Sequence, residues 1–138
     1  MIIDAHNKIM GRVATMAAKA AMMGHEVFVV NCDTAVITGN KQKTISEFQR
    51  KRSMGIQAKG PFIIRKPEMI MKRTIRGMLP YKQPKGMDAF KRVKCYRTVP
   101  ESLSKLDKIN DKKSDLSKLP NTKYITLNEI CKILGARQ

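Results

Sequence analysis

IIDAHNKIMGRVATMAAKAAMMGHEVFVV, residues 2–30, is the stretch that decides the fold of this 138-residue chain. Ile2-Ile3-Asp4-Ala5 is a short candidate strand, and Gly24 ends the helix predicted after it. The helix is predicted from apolar residues at helical spacing: Ile9, Val13, Met16, Ala17 and Ala20. The run Val27–Val30 is continuously apolar, which is typical of a strand buried on both faces.

A strand, a helix and a buried strand within about thirty residues form the pattern of a βαβ unit, whose two strands are parallel. The stripe of the helix is mostly alanine, so the helix can lie close against a sheet. The predicted fold class is therefore α/β, with a parallel β-sheet flanked by helices, basic loops and a carboxy-terminal extension that ends in a helix.

The middle of the chain predicts two helices separated by a loop. Thr44-x-x-Glu47 has the spacing of a capping box and predicts a short helix that ends in Arg50-Lys51-Arg52. Glycines and a proline predict a loop over residues 53–61, and Pro67 can begin the second helix. On that helix one side is apolar and the other basic: Met71, Ile75 and Met78 face Lys72, Arg73 and Arg76 across the helix axis.

The last third of the chain is less regular. A helical piece over residues 87–92 and a strand over residues 93–96 precede a segment rich in Ser, Lys, Asp and Leu. This segment, residues 101–120, is called the carboxy-terminal extension below, and its composition predicts a mobile or wrapping segment. Thr126-x-x-Glu129 predicts the start of a terminal helix that Gly135 ends. We expect one domain over residues 1–138, with a core over about 1–100 and the extension and helix over about 101–138.

The net charge of +17 points to a polyanionic partner. Residues 1–40 carry three basic and three acidic side chains, whereas residues 41–97 carry 17 basic and three acidic ones. Such a cluster repels itself unless an anion offsets it, and a nucleic-acid backbone supplies that offset. Aromatic residues make up only 5% of the chain and tryptophan is absent, so we expect phosphate contacts rather than base stacking to dominate.

Signals of catalysis, cofactors and membranes are weak in this sequence. There is no G-x-G-x-x-G motif, and residues 55–61 lack the Lys-Ser/Thr pair of a P-loop. His6 and His25 have no metal-ligand spacing, and the three cysteines are far apart in sequence, so we expect reduced buried thiols. We therefore expect no enzyme activity, cofactor, metal or small-molecule substrate. Asp4 follows the amino terminus too closely for a signal peptide, and we expect a cytoplasmic protein without membrane contact.

Five ordered motifs carry a family resemblance: Met10-Gly11-Arg12, Val29-Val30-Asn31, Ile37-Thr38-Gly39-Asn40, Gly60-Pro61-Phe62 and Arg76-Gly77-Met78-Leu79-Pro80. From about Ile3 to Pro100 the sequence resembles the large-subunit ribosomal protein L-thirteen (L13) family. Gly60-Pro61-Phe62 and Tyr81-Lys82 are similar to its archaeal and eukaryotic branch. The chain departs from the family at Met10, where leucine is frequent, and near Thr98, where glycine is frequent.

The resemblance implies a structural component of the large ribosomal subunit that binds ribosomal RNA, contacts other large-subunit proteins and supports assembly and translation. It implies that Arg76-Gly77 lies where the RNA backbone approaches closely, and that Gly39, Asn40 and Lys41 lie at the edge of the sheet. Together with the charge clusters, it predicts this RNA-binding set: Lys41, Arg50, Lys51, Arg52, Lys59, Arg65, Lys66, Lys72, Arg73, Arg76, Gly77, Lys82, Lys85, Lys91 and Arg92. Two alternatives stay open, an RNA-modifying α/β enzyme and a basic DNA-binding architectural protein.

Overall fold

A computed structural model describes residues 1–56, 58–111, 113–120 and 122–136 of the chain. Gln57 of the predicted loop and Lys112 of the extension therefore lie outside the described residues. The elements, in chain order, are β1 (Ile2–Asp4), α1 (Met10–Met22), β2 (Val27–Val30), β3 (Val36–Thr38), α2 (Lys41–Ser53), α3 (Pro67–Gly77), α4 (Pro84–Lys91), β4 (Val93–Cys95), α5 (Glu101–Ser104), a 3₁₀ turn (Leu116–Lys118), β5 (Tyr124–Thr126) and α6 (Leu127–Ile133). Within these ranges no helix is both long and apolar enough to cross a membrane.

The central sheet is parallel and has the strand order β1-β2-β4. Ile3 is paired with Val29, and Val29 is paired in turn with Cys95. β2 lies between two partners and is covered on both faces, which explains its continuous apolar sequence. The predicted α/β class, with a parallel sheet, flanking helices and a carboxy-terminal helix, is confirmed.

The main core lies between one face of this sheet and the helices α1, α3 and α4. Five of the six buried residues of α1 are alanine, so the helix axis can approach the sheet closely. Ile70, Met71 and Ile75 of α3 supply the bulk that α1 lacks. Burying each of these side chains stabilises the fold by about 1.5–3 kcal/mol. Gly24 lies two residues after the last residue of α1, and its φ of 99° turns the chain out of the helix, as the sequence predicts.

The second face of the sheet is covered by the region after β4. Ile2 and Val30 point away from α1 and pack with Leu103 of α5. Phe28 and Tyr96 are stacked beside them with ring centroids 6.5 Å apart. The alternation along the strands therefore divides their side chains between two separate apolar clusters.

The carboxy-terminal extension wraps back onto the free edge of β1. The N–H of Ile109 donates to the carbonyl of Ile2 at 2.8 Å, so the extension pairs with an edge strand that would otherwise be open. The buried side chain of Lys8 also holds this segment. It is only 2% exposed, donates to the side chain of Asn110 and lies 3.9 Å from the Asp115 carboxylate. Of the two predicted behaviours, the structure shows wrapping.

Two features differ from the prediction. β3 and β5 form a separate antiparallel pair that the sequence did not predict. The proposed capping box at Thr44 is wrong, because α2 begins at Lys41 with Asn40 as its cap. The Asn40 side chain accepts from the N–H of Gln42 at 3.0 Å, and the Thr44 hydroxyl donates to the Asn40 carbonyl at 3.1 Å from inside the helix. The predicted helix cap at Thr126 is confirmed, since its hydroxyl accepts from the N–H of Glu129.

Candidate nucleic-acid interface

α2 is a solvent-exposed helix that touches the rest of the protein along a narrow line. None of its residues is fully buried, and only Ile45 and Phe48 pack against the core as half-buried side chains. Its last turn carries Arg50, Lys51 and Arg52, which are all exposed. Cations near the carboxyl end of a helix interact favourably with its dipole, so these three side chains stabilise the end of α2 even in the absence of a ligand.

α3 divides its side chains between core and solvent. Ile70, Met71 and Ile75 are buried, whereas Arg73 and Arg76 are exposed. The predicted amphipathic helix is therefore confirmed, except that its outermost apolar residue, Met78, follows the helix and is 43% exposed.

Three cations of this region lie over aromatic rings of the same chain. The Lys51 ammonium is 5.5 Å from the ring centroid of Phe48, and that of Lys72 is 5.2 Å from Phe90. The Arg76 guanidinium lies 5.0 Å from the ring of Tyr81. Such contacts restrain long side chains without neutralising their charge, so these groups stay available to an anion.

Two grooves run on either side of Arg73. One, of about 280 Å³, lies between α2 and α3 and is lined by Phe48, Lys51 and Arg73 among others. The second, of about 290 Å³, lies between α3 and α4 and is lined by Lys72, Arg73 and Arg76. Ile64 and Arg73 line both grooves, so the two lie next to each other.

Two further depressions adjoin these grooves toward the amino-terminal end of α3. Ile63 is shared between the α2/α3 groove and a depression beside the loop, which Arg52 and Arg65 also line. Arg65 is shared in turn with a pocket that Lys66 lines next to α6. The residues that these depressions bring together are called the basic surface below: Lys51, Arg52, Arg65, Lys66, Lys72, Arg73 and Arg76.

Four residues of the predicted RNA-binding set have polar partners within the protein, and one of them is Arg65, which donates to the Gly135 carbonyl at 3.3 Å. Lys41 lies 3.1 Å from Glu129, and Lys91 lies 3.1 Å from Asp88. Arg92 is half-buried and donates to the carbonyl of Ala21 at 3.3 Å, near the end of α1. Lys41 was expected at the edge of the central parallel sheet. It instead follows β3 of the antiparallel pair.

The other predicted residues lie outside the four depressions that define the basic surface. Arg50, Lys59, Lys82 and Lys85 are exposed. Conversely, the pocket beside α6 contains two cations that the predicted set did not include, Arg97 and Lys132. Lys132 carries no local sign of this role, because it joins the pocket only through the packing of α6 beside α3.

Two helical glycines differ in what surrounds them. A Cβ at Gly86 would lie 2.1 Å from the carbonyl oxygen of Pro80, so packing within the protein requires glycine there. At Gly77, by contrast, a Cβ would meet no atom of the described chain within 4 Å. Gly77 therefore leaves an open approach to the backbone beside Arg76.

Polar groups at the carboxyl ends of the parallel strands, where α/β proteins commonly bind ligands, contact one another instead. One Asp4 carboxylate oxygen accepts from the N–H of His6 and from the Asn31 amide, both at 2.9 Å. The His6 ring is 3.1 Å from the hydroxyl of Thr34. This arrangement satisfies the groups from within and resembles a structural brace more than a reaction centre.

The thiols are also poorly suited to nucleophilic chemistry. A side-chain hydrogen bond with Cys95, together with burial, raises the pKa of Cys32, and burial raises the pKa of Cys131 to about 11. Both side chains are therefore protonated thiols at neutral pH, whereas the thiolate is the nucleophile. Among the described residues no group of His, Cys, Asp and Glu side chains has the arrangement of a metal site.

Comparison with known proteins agrees with the motifs and the fold. The sequence profile described as ribosomal protein L13 matches residues 1–102. The protein named large ribosomal subunit protein uL13 of Methanocaldococcus jannaschii is 46% identical over 140 residues, which cover 99% of this chain and 98% of its own length. The proteins of the same name from Methanococcoides burtonii and Haloarcula marismortui are 39% and 40% identical, over 99% and 100% of this chain and 98% and 92% of their own lengths. The chain therefore belongs to the ribosomal protein L13 family.

Proposed function

We propose that this protein is a structural, non-enzymatic constituent of the large ribosomal subunit, where it binds large-subunit ribosomal RNA and supports assembly and translation. The observation that carries the proposal is the basic surface, on a chain whose relatives over nearly the whole length are named as large-subunit proteins. The protein acts in the ribosome, in the cytoplasm, next to other large-subunit proteins, and all of its elements work as one domain.

Binding is mainly electrostatic. Residues 41–97 carry a net charge of +14, and cations that replace the counterions of an RNA backbone gain free energy from the release of those ions. The rings of Phe48, Phe90 and Tyr81 each have one of the protein's own cations above them. These rings orient cations toward phosphates, a role different from that of a platform on which bases stack.

The predicted RNA-binding residues take part to different degrees. The basic surface forms the primary contact, and Arg50, Lys59, Lys82 and Lys85 extend it along the RNA. Gly77 lets a sugar or phosphate come close to the backbone at the end of α3. Lys41 and Lys91 contribute less because each is paired with a carboxylate, and Arg92 contributes less because it is half-buried.

The two alternatives receive less support from the site. A modifying enzyme needs a reactive group, but the polar cluster at the strand ends is internally bonded and the pKa values of Cys32 and Cys131 are raised. A DNA-binding protein of a common type reads the major groove with an exposed helix. Here the exposed helix α2 forms one wall of a groove against α3, which fits an irregular folded RNA surface better than the regular major groove of DNA.

Salt-dependent binding of charge variants tests the proposal. The triple variant Lys51→Gln, Arg73→Gln, Arg76→Gln removes three cations of the basic surface. A matched control removes three exposed lysines that lie elsewhere: Lys19→Gln, Lys94→Gln and Lys105→Gln. Both variants are titrated with large-subunit ribosomal RNA and with a DNA duplex over a series of salt concentrations.

Each lost phosphate contact lowers the slope of log K against log salt by about 0.7–0.9. The site variant should therefore lose about 2–3 from this slope with ribosomal RNA, and the control variant much less. Equal losses in the two variants would show that only the total charge matters. Tighter binding of the wild-type protein to duplex DNA than to ribosomal RNA would favour the DNA-binding alternative.

A further inference from the structure

The loop between α2 and α3 exposes an apolar cluster to solvent. Met54, Ile56 and Phe62 are 46%, 70% and 71% exposed, and all three line the depression beside the loop. Single exposed apolar side chains are ordinary on a protein surface, whereas a cluster of them bordered by charged residues marks a site of interaction. These three side chains are called the apolar tip below.

The loop holds the Phe62 ring in place. The N–H groups of Lys59 and Gly60 both donate to the carbonyl of Ile56, at 3.1 and 2.8 Å, and close a tight turn. Gly60 has a φ of 81°, and a Cβ there would lie 3.1 Å from two ring carbons of Phe62. Glycine therefore lets one side of the ring lie against the backbone, while most of the residue remains in solvent.

Phe62 differs from the aromatic residues that lie beside the cations of the basic surface. Phe48, Phe90 and Tyr81 each have a cation of the same chain over the ring. Within the part of the chain that the structure describes, no cation and no second ring lies over Phe62. Its ring is therefore free to contact a partner.

The surroundings of the apolar tip are positively charged. Residues 48–67 contain six basic and no acidic side chains, and Arg52 and Arg65 line the same depression as Phe62. Both arginines belong to the basic surface, so RNA that follows this surface passes beside the ring. An apolar protein surface would cover the ring, but it would also bury the arginines without an anion, which costs free energy. A nucleotide matches both parts, because it combines a flat base with a phosphate.

We propose that Phe62 stacks against one unpaired base of the large-subunit ribosomal RNA, while Arg52 and Arg65 contact the phosphates beside that base. The proposal rests on the function proposed above and adds a contact with a base to the contacts with phosphates. Unpaired bases of RNA commonly stack on aromatic side chains. Every base has a π-face, so this contact positions the RNA without selecting a particular base.

The first test compares variants of the ring. Phe62→Leu keeps an apolar side chain but removes the ring, whereas Phe62→Tyr keeps a ring. The matched control is Tyr124→Leu, which removes an exposed ring that lies outside the basic surface, in a depression beside Asn7 and Asp115. The full-length proteins are titrated with large-subunit ribosomal RNA over a series of salt concentrations.

Stacking releases no counterions, so its loss should weaken binding equally at every salt concentration. We expect Phe62→Leu to lose affinity by about fivefold to tenfold with an unchanged slope of log K against log salt. Phe62→Tyr and Tyr124→Leu should bind like the wild-type protein. An unchanged affinity of Phe62→Leu would overturn the proposal and favour an apolar contact with a neighbouring protein. A smaller slope would overturn it as well, since phosphate contacts would then have been lost.

A second test detects the base directly. The chain contains no tryptophan, so Phe62→Trp provides a single indole at the position of the ring, and Tyr124→Trp provides one at the control position. Large-subunit ribosomal RNA should quench the fluorescence of Phe62→Trp, because a stacked base is in direct contact with the indole. Inorganic polyphosphate, which has the charge of RNA but no bases, should leave it unchanged, and Tyr124→Trp should respond to neither. Quenching of Phe62→Trp by both polyanions, or by neither, would contradict the proposal.

These outcomes separate the stacking contact from the proposed function. If the wild-type protein does not bind large-subunit ribosomal RNA, the proposed function fails. If it binds, but Phe62→Leu binds equally well and the indole of Phe62→Trp is not quenched, the stacking contact is refuted while the proposed function stands.

Discussion

Replacing Gly77 with alanine should make the protein more stable and weaken its binding to RNA. Gly77 is the last residue of α3, and its conformation is an ordinary one for alanine, with no atom of the described chain within 4 Å of the added Cβ. Alanine is favoured over glycine inside a helix by about 0.8–1.0 kcal/mol, and less at a helix end. We therefore expect the free energy of unfolding to rise by about 0.5 kcal/mol, or the melting temperature by about 1–3 °C.

The effect on RNA binding has the opposite sign. If the RNA backbone approaches the end of α3 as proposed, the new methyl group pushes it away and lengthens a contact to a charged phosphate. A hydrogen bond to a charged group contributes about 1.5–3 kcal/mol, so affinity should fall by about tenfold to a hundredfold. Thermal unfolding of the free protein and a binding titration with large-subunit ribosomal RNA measure the two effects.

Gly86→Ala is the matched comparison, because the same methyl group would there lie 2.1 Å from the Pro80 carbonyl oxygen. That variant should lose stability of the free protein, whether or not RNA is present. An unchanged RNA affinity of Gly77→Ala, measured on a folded protein, would refute the close approach at Gly77. A fall in its stability would refute the view that this position is open.

Three other expectations follow from buried or bonded polar groups. Lys8→Met should leave Asp115 without its cation and lower the free energy of unfolding by about 1–3 kcal/mol, with faster hydrogen exchange concentrated in the carboxy-terminal extension. Cys131, whose pKa burial raises to about 11, should resist thiol reagents at pH 8 in the native protein and react once the protein is unfolded. Hydrogen bonds from the Ser114 hydroxyl and the Lys113 N–H hold the pKa of Asp111 below its usual value. Their stabilising effect is therefore present near neutral pH and is lost as the pH falls through that lowered pKa. In Ser114→Ala, NMR titration should find the pKa of Asp111 higher than in the wild-type protein.

The parts of the fold that the sequence predicted are those with strong local patterns. β1, α1 and β2 follow one another with an alanine stripe, a glycine stop and a continuous apolar strand, and each signal acts within a few residues. α3 and α6 were likewise found through a proline at the start of one and a capping threonine at the start of the other. Local propensity and tertiary packing favour the same structure in these elements, so local sequence patterns are sufficient to predict them.

The antiparallel pair β3–β5 could not be found in this way. Each strand has only three residues, and its partner lies in a distant part of the chain. The start of α2 was misplaced for a related reason: Asn40 and Thr44 are both acceptable caps, and the structure uses the one that directly follows β3. Lys8 shows the same limit, because a lysine is normally exposed and becomes buried here only through contacts with the extension.

For the site, counting charges identified the region but not the state of each cation. The sequence could not show that Lys41 pairs with Glu129 or that Arg92 donates to the Ala21 carbonyl of α1, because both contacts depend on tertiary packing. Arg97 and Lys132 were omitted from the predicted set for the same reason. A basic segment in a sequence predicts a binding surface, whereas the folded chain decides which of its members are free to bind.

Sedimentation of native large subunits tests the ribosomal role most directly. A lysate of cells that contain this protein is separated on a sucrose gradient before and after a wash with about 0.5 M salt, and each fraction is quantified by mass spectrometry. We predict one copy per large subunit that stays bound after the wash, because a constituent fixed within folded RNA survives salt that weakens loose binding through about 6–10 phosphate contacts by several powers of ten. Recovery of the protein at the top of the gradient, free of large subunits before the wash, would contradict the ribosomal role.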